Sequence, residues 1–197
     1  MSTPNPVPLP TTASEARAWV ESARARAEGY VWGVLHIHHP ETADARTATA
    51  FADAYATRVG ELLAEGTRPP GIGRAWVGWR EDGDITAELT TAPVAAHDQT
   101  PTFEQYDPAL HDRTALWLCI EALGYARGWC DAAGIGSGDA VDFGHAYAVL
   151  VAAGGTRLNI ADTWTNWRRG LPLHTYPDTP TTDPAHSPGS PQEQETS

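Results

Sequence analysis

Apolar residues recur along this chain at intervals of three and four, the spacing of one face of an α-helix, in six separate stretches. In the first, Trp19, Val20, Ala23, Ala27, Tyr30 and Val34 form a stripe, and Ser14 ahead of Glu15 reads as an N-cap. A helix is predicted there from about Ser14 to Gly33. The second and third helices are predicted over roughly Ala43 to Glu65 and Pro70 to Arg80. The fourth opens after Asp107-Pro108, a cap followed by proline at the first helical position, and runs to about Ala133 with Leu116, Ile120, Leu123 and Ala126 inward. The fifth and sixth cover roughly Asp139 to Ala153 and Leu158 to Arg169. Gly66 and Gly154 stand where the second and fifth should stop.

Three patterns occur twice, in the same order. Gly-Tyr-x-x-Gly appears at Gly29 and at Gly124, Phe-x-x-Ala-Tyr-Ala at Phe51 and at Phe143, and Ile-x-x-x-Trp-x-x-Trp-Arg at Ile72 and at Ile160. The offset between copies falls from 95 to 92 to 88 residues, so the second copy is shorter only in its connections, where length changes are tolerated. Each pattern has a packing rationale. Ile, Trp and Trp at i, i+4 and i+7 share one helix stripe, and glycines at i, i+4 leave a bare patch where another helix can approach closely.

The fold class expected is therefore all-α, two tandem three-helix repeats making six helices, with disordered tails. Residues 1–12 hold four prolines and no charge, and residues 171–197 are rich in Pro, Thr, Ser, Asp and Glu; both read as disordered. Repeat 1 covers 13–80, a Thr-, Ala- and Pro-rich linker 81–107, and repeat 2 108–170. Within the linker Ile85 to Leu89 alternates after Asp82-Gly83, but a lone strand has nothing to pair with; Phe103 and Tyr106 are placed to pin the linker's end.

Charge narrows the function classes. The chain carries 25 acidic and 13 basic side chains, a net charge of −12. Asp178, Asp183, Glu193 and Glu195 account for four of these charges, leaving the body at about −8. A phosphate backbone would be repelled, so direct nucleic-acid binding is not expected; it would require Arg74, Arg80, Arg157, Arg168 and Arg169 to converge on a face free of carboxylates. An acidic surface suits a basic partner instead. Every basic residue is arginine, and the absence of lysine removes Schiff-base chemistry and the lysine of a phosphate loop. No leader or membrane-length apolar run is evident, and Cys119 and Cys130, eleven residues apart on one predicted helix, cannot bridge each other; a reduced cytoplasmic setting is expected.

Candidate chemistry is sparse. Cys119, His145 and Asp162 follow the Cys, His, Asp order of transglutaminase-like and papain-like thiol enzymes, but Cys119 falls well inside its predicted helix rather than at the N-terminus that would acidify a thiol. The twins of His145 and Asp162 in the first copy are Asp53 and Arg74. His36, His38 and His39 form a dense cluster before Pro40, yet a further ligand at metal-site spacing is missing. Gly134, Gly136 and Gly138 precede Asp139, but a phosphate loop needs a strand before it and here a helix is predicted. Trp76 and Trp164 read as core, whereas Trp79, Arg80, Trp167 and Arg168 have the composition of a binding surface.

The runs Gly29 to Gly33, Phe51 to Ala56 and Ile72 to Trp79 resemble small helical proteins of unassigned activity encoded by actinobacterial genomes and their mobile elements. The resemblance covers one repeat clearly and the other loosely, and implies an intracellular, accessory role. The chain departs from it in the Cys119 and Cys130 pair and in the His36, His38 and His39 cluster. The sequence thus leads to a non-enzymatic binding module without cofactor, taking a protein partner or small ligand in a groove between the repeats. The competing class is a thiol enzyme using Cys119.

Overall fold

The protein is described by a computed structural model covering residues 9–40, 44–85, 113–154 and 159–173. These hold six α-helices and no strand: α1 (Ala13–His38), α2 (Ala45–Ala64), α3 (Ile72–Asp82), α4 (Arg113–Ala132), α5 (Ala140–Gly154) and α6 (Ile160–Arg168). Asp107-Pro108, Phe103, Tyr106 and most of the expected Ile85 to Leu89 segment lie outside the described residues.

The helix ends follow from local hydrogen bonding. At α1 the cap is Thr12 rather than Ser14: its hydroxyl accepts from the Glu15 N–H at 3.2 Å, and the Glu15 carboxylate accepts from the N–H groups of Thr12 at 3.0 Å and Thr11 at 2.7 Å. Those bonds, the one from the Thr11 backbone first, hold the Glu15 carboxyl below its ordinary range. Thr11 and Thr12 therefore belong to the folded body, although the expected boundary put them in the leading tail. Asp44 caps α2 through the Arg46 N–H at 2.9 Å, and Asn159 caps α6 through the N–H groups of Ala161 and Asp162. Gly66 ends α2 at φ 69°, where the Thr67 N–H reaches the Leu62 carbonyl at 2.7 Å. At the end of α3, Gly83 takes φ 71°, so the helix runs two residues beyond Arg80 into the expected linker.

Each trio encloses apolar side chains. Ala27, Tyr30, Val31 and Val34 of α1 meet Phe51, Tyr55 and Val59 of α2 and Ile72, Ala75 and Trp76 of α3, with Ile85 closing the cluster. The Tyr55 hydroxyl donates to the Pro70 carbonyl at 2.7 Å and anchors the approach to α3. Similarly, Leu123, Ala126 and Cys130 of α4 meet Phe143, Tyr147 and Val151 of α5 and Trp164 of α6. The indole edges match: Phe51 meets Trp76 at 5.2 Å and Phe143 meets Trp164 at 4.9 Å, both edge-to-face. Such a pair adds roughly 0.5–1.5 kcal/mol to what burial contributes.

The most extensive helix contact joins the trios rather than lying inside either: α1 packs along α4. A Cβ on Gly29 would collide with the Glu121 carbonyl and the Tyr125 N–H, and one on Gly33 with the Tyr125 carbonyl and the Trp129 N–H. A turn forward on α1 is thus a turn forward on α4, so the two helices run parallel. From the other side, Gly124 abuts the Arg26 carbonyl and Gly128 the Tyr30 carbonyl. Backbones this close exchange dispersion and Cα–H···O contacts that any side chain would prevent. Gly33 therefore does not end α1. It lies mid-helix on the seam, and α1 continues five residues further to His38.

Candidate functional site

The seam gives α1 two buried faces, and its second face carries charge. Ser22, Ala25, Arg26, Gly29 and Gly33 share that side, and Arg26 is only 4% exposed. On α4 the residue 95 positions later, Glu121, is 8% exposed. Among the described residues, Arg26 and Glu121 are the two charged side chains that solvent barely reaches.

Where α1 and α4 meet the start of α3, a cleft opens. It is lined by Arg26 and Tyr30 of α1, Ile72 and Gly73 of α3, Gly124, Arg127 and Asp131 of α4, and Ser137 in the turn before α5; it is small, with about 20 Å³ open to the centre of a water molecule. The Tyr30 hydroxyl donates to the Asp131 carboxylate at 2.9 Å, tying α1 to the exposed end of α4. Gly73 allows this: a Cβ there would stand 3.0 Å from the phenol oxygen. Arg26 and Arg127 both make further interactions of their own.

A second cluster stands further along α1. The His36 ring stacks on Trp32 at 5.3 Å and meets Tyr125 edge-on at 5.5 Å, with the Asp162 carboxylate of α6 close enough to act on both His36 and Tyr125. Burial pushes the His36 pKa down, against the opposing influence of the Trp32 carbonyl and Asp162. Burial, aided by Asp162, pushes the Tyr125 phenol up. Both groups are held neutral near pH 7.

Comparison of the chain with family models, with characterised proteins and with solved structures finds no match. Function therefore rests on the geometry of these residues.

The residues singled out from the sequence take varied places. Trp76 and Trp164 are buried, whereas Trp79 and Trp167 are half-buried and lie edge-on to Phe51 and Phe143 at 5.7 and 6.0 Å. Arg80 sits 5.8 Å from the Trp76 ring, and Arg168 covers the Trp129 ring at 4.4 Å, a cation–π distance. Arg157 lies outside the described residues. His36 turns inward while His38 and His39 are exposed, their rings 6.4 Å apart. Among the described residues no group of three or more His, Cys, Asp or Glu side chains is placed to hold a metal ion.

Cys119 is 1% exposed, packed with Ala25, Leu116, Ile120 and Ala148, and burial alone raises its thiol pKa to about 12. His145 is half-buried on α5, next to Gly144, which abuts the Cys119 carbonyl. Asp162 is exposed in the first turn of α6, where its charge acts on His36 and Tyr125. A thiol with that pKa is protonated at neutral pH and is a poor nucleophile.

The cleft residues Arg26, Tyr30, Arg127 and Asp131 were not among the sequence candidates. One signal was available: Arg26 is a charged residue on the same bare face as Gly29 and Gly33, between Ala25 and Ala27. Charge on a face shaped for close helix contact has to be accommodated by something nearby.

Proposed function

We propose that this protein is a non-enzymatic binding module built from two copies of one three-helix unit, and that the cleft between α1, α3 and α4 receives a small ligand or the end of a partner protein. The duplication is supported by reciprocity along the seam. Gly29 faces Glu121 while its twin Gly124 faces Arg26, the twin of Glu121; Gly33 faces Tyr125 while Gly128 faces Tyr30. Each contact turns into another when its two members are exchanged for their twins at an offset of 95.

The same arithmetic separates the two sides of the seam. Arg127 has Trp32 as its twin, Asp131 has His36, and Gly73, at the shorter offset of 88, has Ala161. On that side the bulky Trp32 and His36 rings stack on each other, and His36 meets Tyr125 edge-on. Space and charge thus coincide on one side of the pair, which suits a single ligand per chain.

The observation that carries this reading is the lining of the cleft: polar groups contributed by both halves, including an arginine almost removed from solvent, converge on open space. An intracellular accessory role rests on the sequence resemblance alone. The test is amide chemical-shift mapping of the full chain against a broad library of small polar fragments. Shifts concentrated at Gly73, Gly124 and Ser137 support the reading. Binding confined to other surfaces refutes it.

A further inference from the structure

The outward face of α5 differs in chemistry from that of its twin. At an offset of 92 residues, Asp53, Thr57, Arg58 and Glu61 on α2 correspond to His145, Val149, Leu150 and Ala153 on α5. On α2 these positions are ionic: Asp53 pairs with Arg24 at 2.6 Å and Glu61 with Arg58 at 2.8 Å. On α5 the same positions hold no carboxylate and no arginine, yet Val149 is 53% exposed, Val141 is 40% exposed, and Ala152 and Ala153 are exposed beside them. α5 already buries Phe143, Tyr147 and Val151 in the core it shares with α4 and α6. It is therefore apolar on both sides, the pattern of a helix enclosed on both.

Independently of the cleft, we infer that a second copy of this chain covers the face, the two α5 helices packing antiparallel about a two-fold axis at His145. Charge decides against other occupants. α5 carries one carboxylate, Asp142, and no arginine, so a basic protein or an anionic lipid surface would find little to pair with. Elsewhere on a molecule of net charge −12 an approaching copy is repelled, and α5 is where that repulsion is least. The face is also complementary to itself. Val141 and Val149 each stand four residues from His145, so an axis there sets each against the other across the contact, twice over. The two Asp142 carboxylates then lie six residues apart along the paired helices, about 9 Å at 1.5 Å of rise per residue, near the screening length of physiological salt. One helix face is smaller than the roughly 800 Å² per partner of a standard interface, so the dimer is weak and fills at high protein concentration.

The test is sedimentation velocity of the full chain over a concentration series reaching about 1 mM, at low and high sodium chloride. Reversible association to twice the monomer mass is expected, tightening several-fold as salt screens the −12 charge of each copy. Val149→Glu should weaken it roughly tenfold or more by setting two unpaired carboxylates in the contact. Thr57→Glu, the same change at the twin position on α2, should leave it unaltered. His145→Cys, on the axis, should oxidise to a covalent dimer, since the buried Cys119 and Cys130 stay out of the reaction. A chain that remains monomeric throughout overturns the inference, as does a dimer that Val149→Glu leaves intact or that salt dissolves. In the first case, a urea midpoint lowered by Val149→Glu would assign the face to another segment of the same chain.

Discussion

The Tyr30 hydroxyl on α1 donates a 2.9 Å hydrogen bond to the Asp131 carboxylate on α4. At an offset of 95 residues, Tyr125 of α4 instead meets the His36 ring of α1 edge-on, at 5.5 Å between centroids. Corresponding places on either side of one helix seam thus hold an ionic hydrogen bond in one case and an aromatic contact in the other. That difference organises much of what can be measured.

Removing the phenol oxygen in Tyr30→Phe should cost about 1 kcal/mol, near the middle of the range for a hydrogen bond whose exposed acceptor can return to water. The measurement is a double-mutant cycle with Asp131→Asn in urea. A coupling of roughly 0.5–1.5 kcal/mol is expected; additive single effects would mean that the bond contributes nothing to folding.

Gly128→Ala should destabilise by about 1–3 kcal/mol or more, since the added methyl falls on the Tyr30 carbonyl and two helix backbones must separate. Helix propensity alone predicts the opposite sign, a gain of about 1 kcal/mol. Gly60→Ala in α2 supplies the control. Its Cβ would lie 3.6 Å from a Val20 methyl, an ordinary contact, so this variant should be stabilised by up to ~1 kcal/mol. Denaturation midpoints that move in the same direction for both would refute the close seam.

Protonation of His36 should loosen the fold. Its folded pKa is depressed below the ordinary 6.5 by burial, so the unfolded chain binds its proton more readily. The stability that His36 contributes is fully present above the unfolded pKa and is lost as pH falls through the window from about 6.5 toward the folded value. His36→Gln should flatten the stability profile across that window. An unchanged slope in the variant would place the dependence on other groups.

Both cysteines should resist labelling in the native protein. With a thiol pKa near 12, the thiolate fraction of Cys119 at pH 7 is on the order of 10⁻⁵, and the side chain is enclosed besides. Cys130 is raised by burial, partly offset by Arg168, with Asp131 and Asp139 adding to the rise. Peptide mapping after exposure to a thiol probe should show modification keeping pace with unfolding. Rapid modification of Cys119 under native conditions would instead bring back the thiol-enzyme reading.

The helices were legible because each buries a stripe with helical period, and the stop of α2 because Gly66 sits where a left-handed residue is needed; Gly83 ends α3 in the same way, two residues beyond the Arg80 expected. The end of α1 was misjudged for a physical reason. Its glycines look like punctuation in one dimension, but Gly33 is a contact surface in three. The bare patches at Gly29 and Gly124 were read as places for a helix to approach, without any indication of which helix. Arg26, Arg127 and Asp131 drew no notice, because a charged residue on a helix is ordinarily on its solvated face.

What the amino-acid order determined by itself is local: the period of apolar residues, the caps, and the recurrence of three motifs. Those depend on interactions within a few turns of backbone. Only the tertiary structure decided that α1 lies parallel to α4, that a buried arginine and a tethered carboxylate border the same opening, and that Asp162 acts on His36 and Tyr125. These relations join residues roughly 40 to 130 positions apart, and such pairings are selected by mutual shape and desolvation across the assembled molecule rather than by any spacing along the chain.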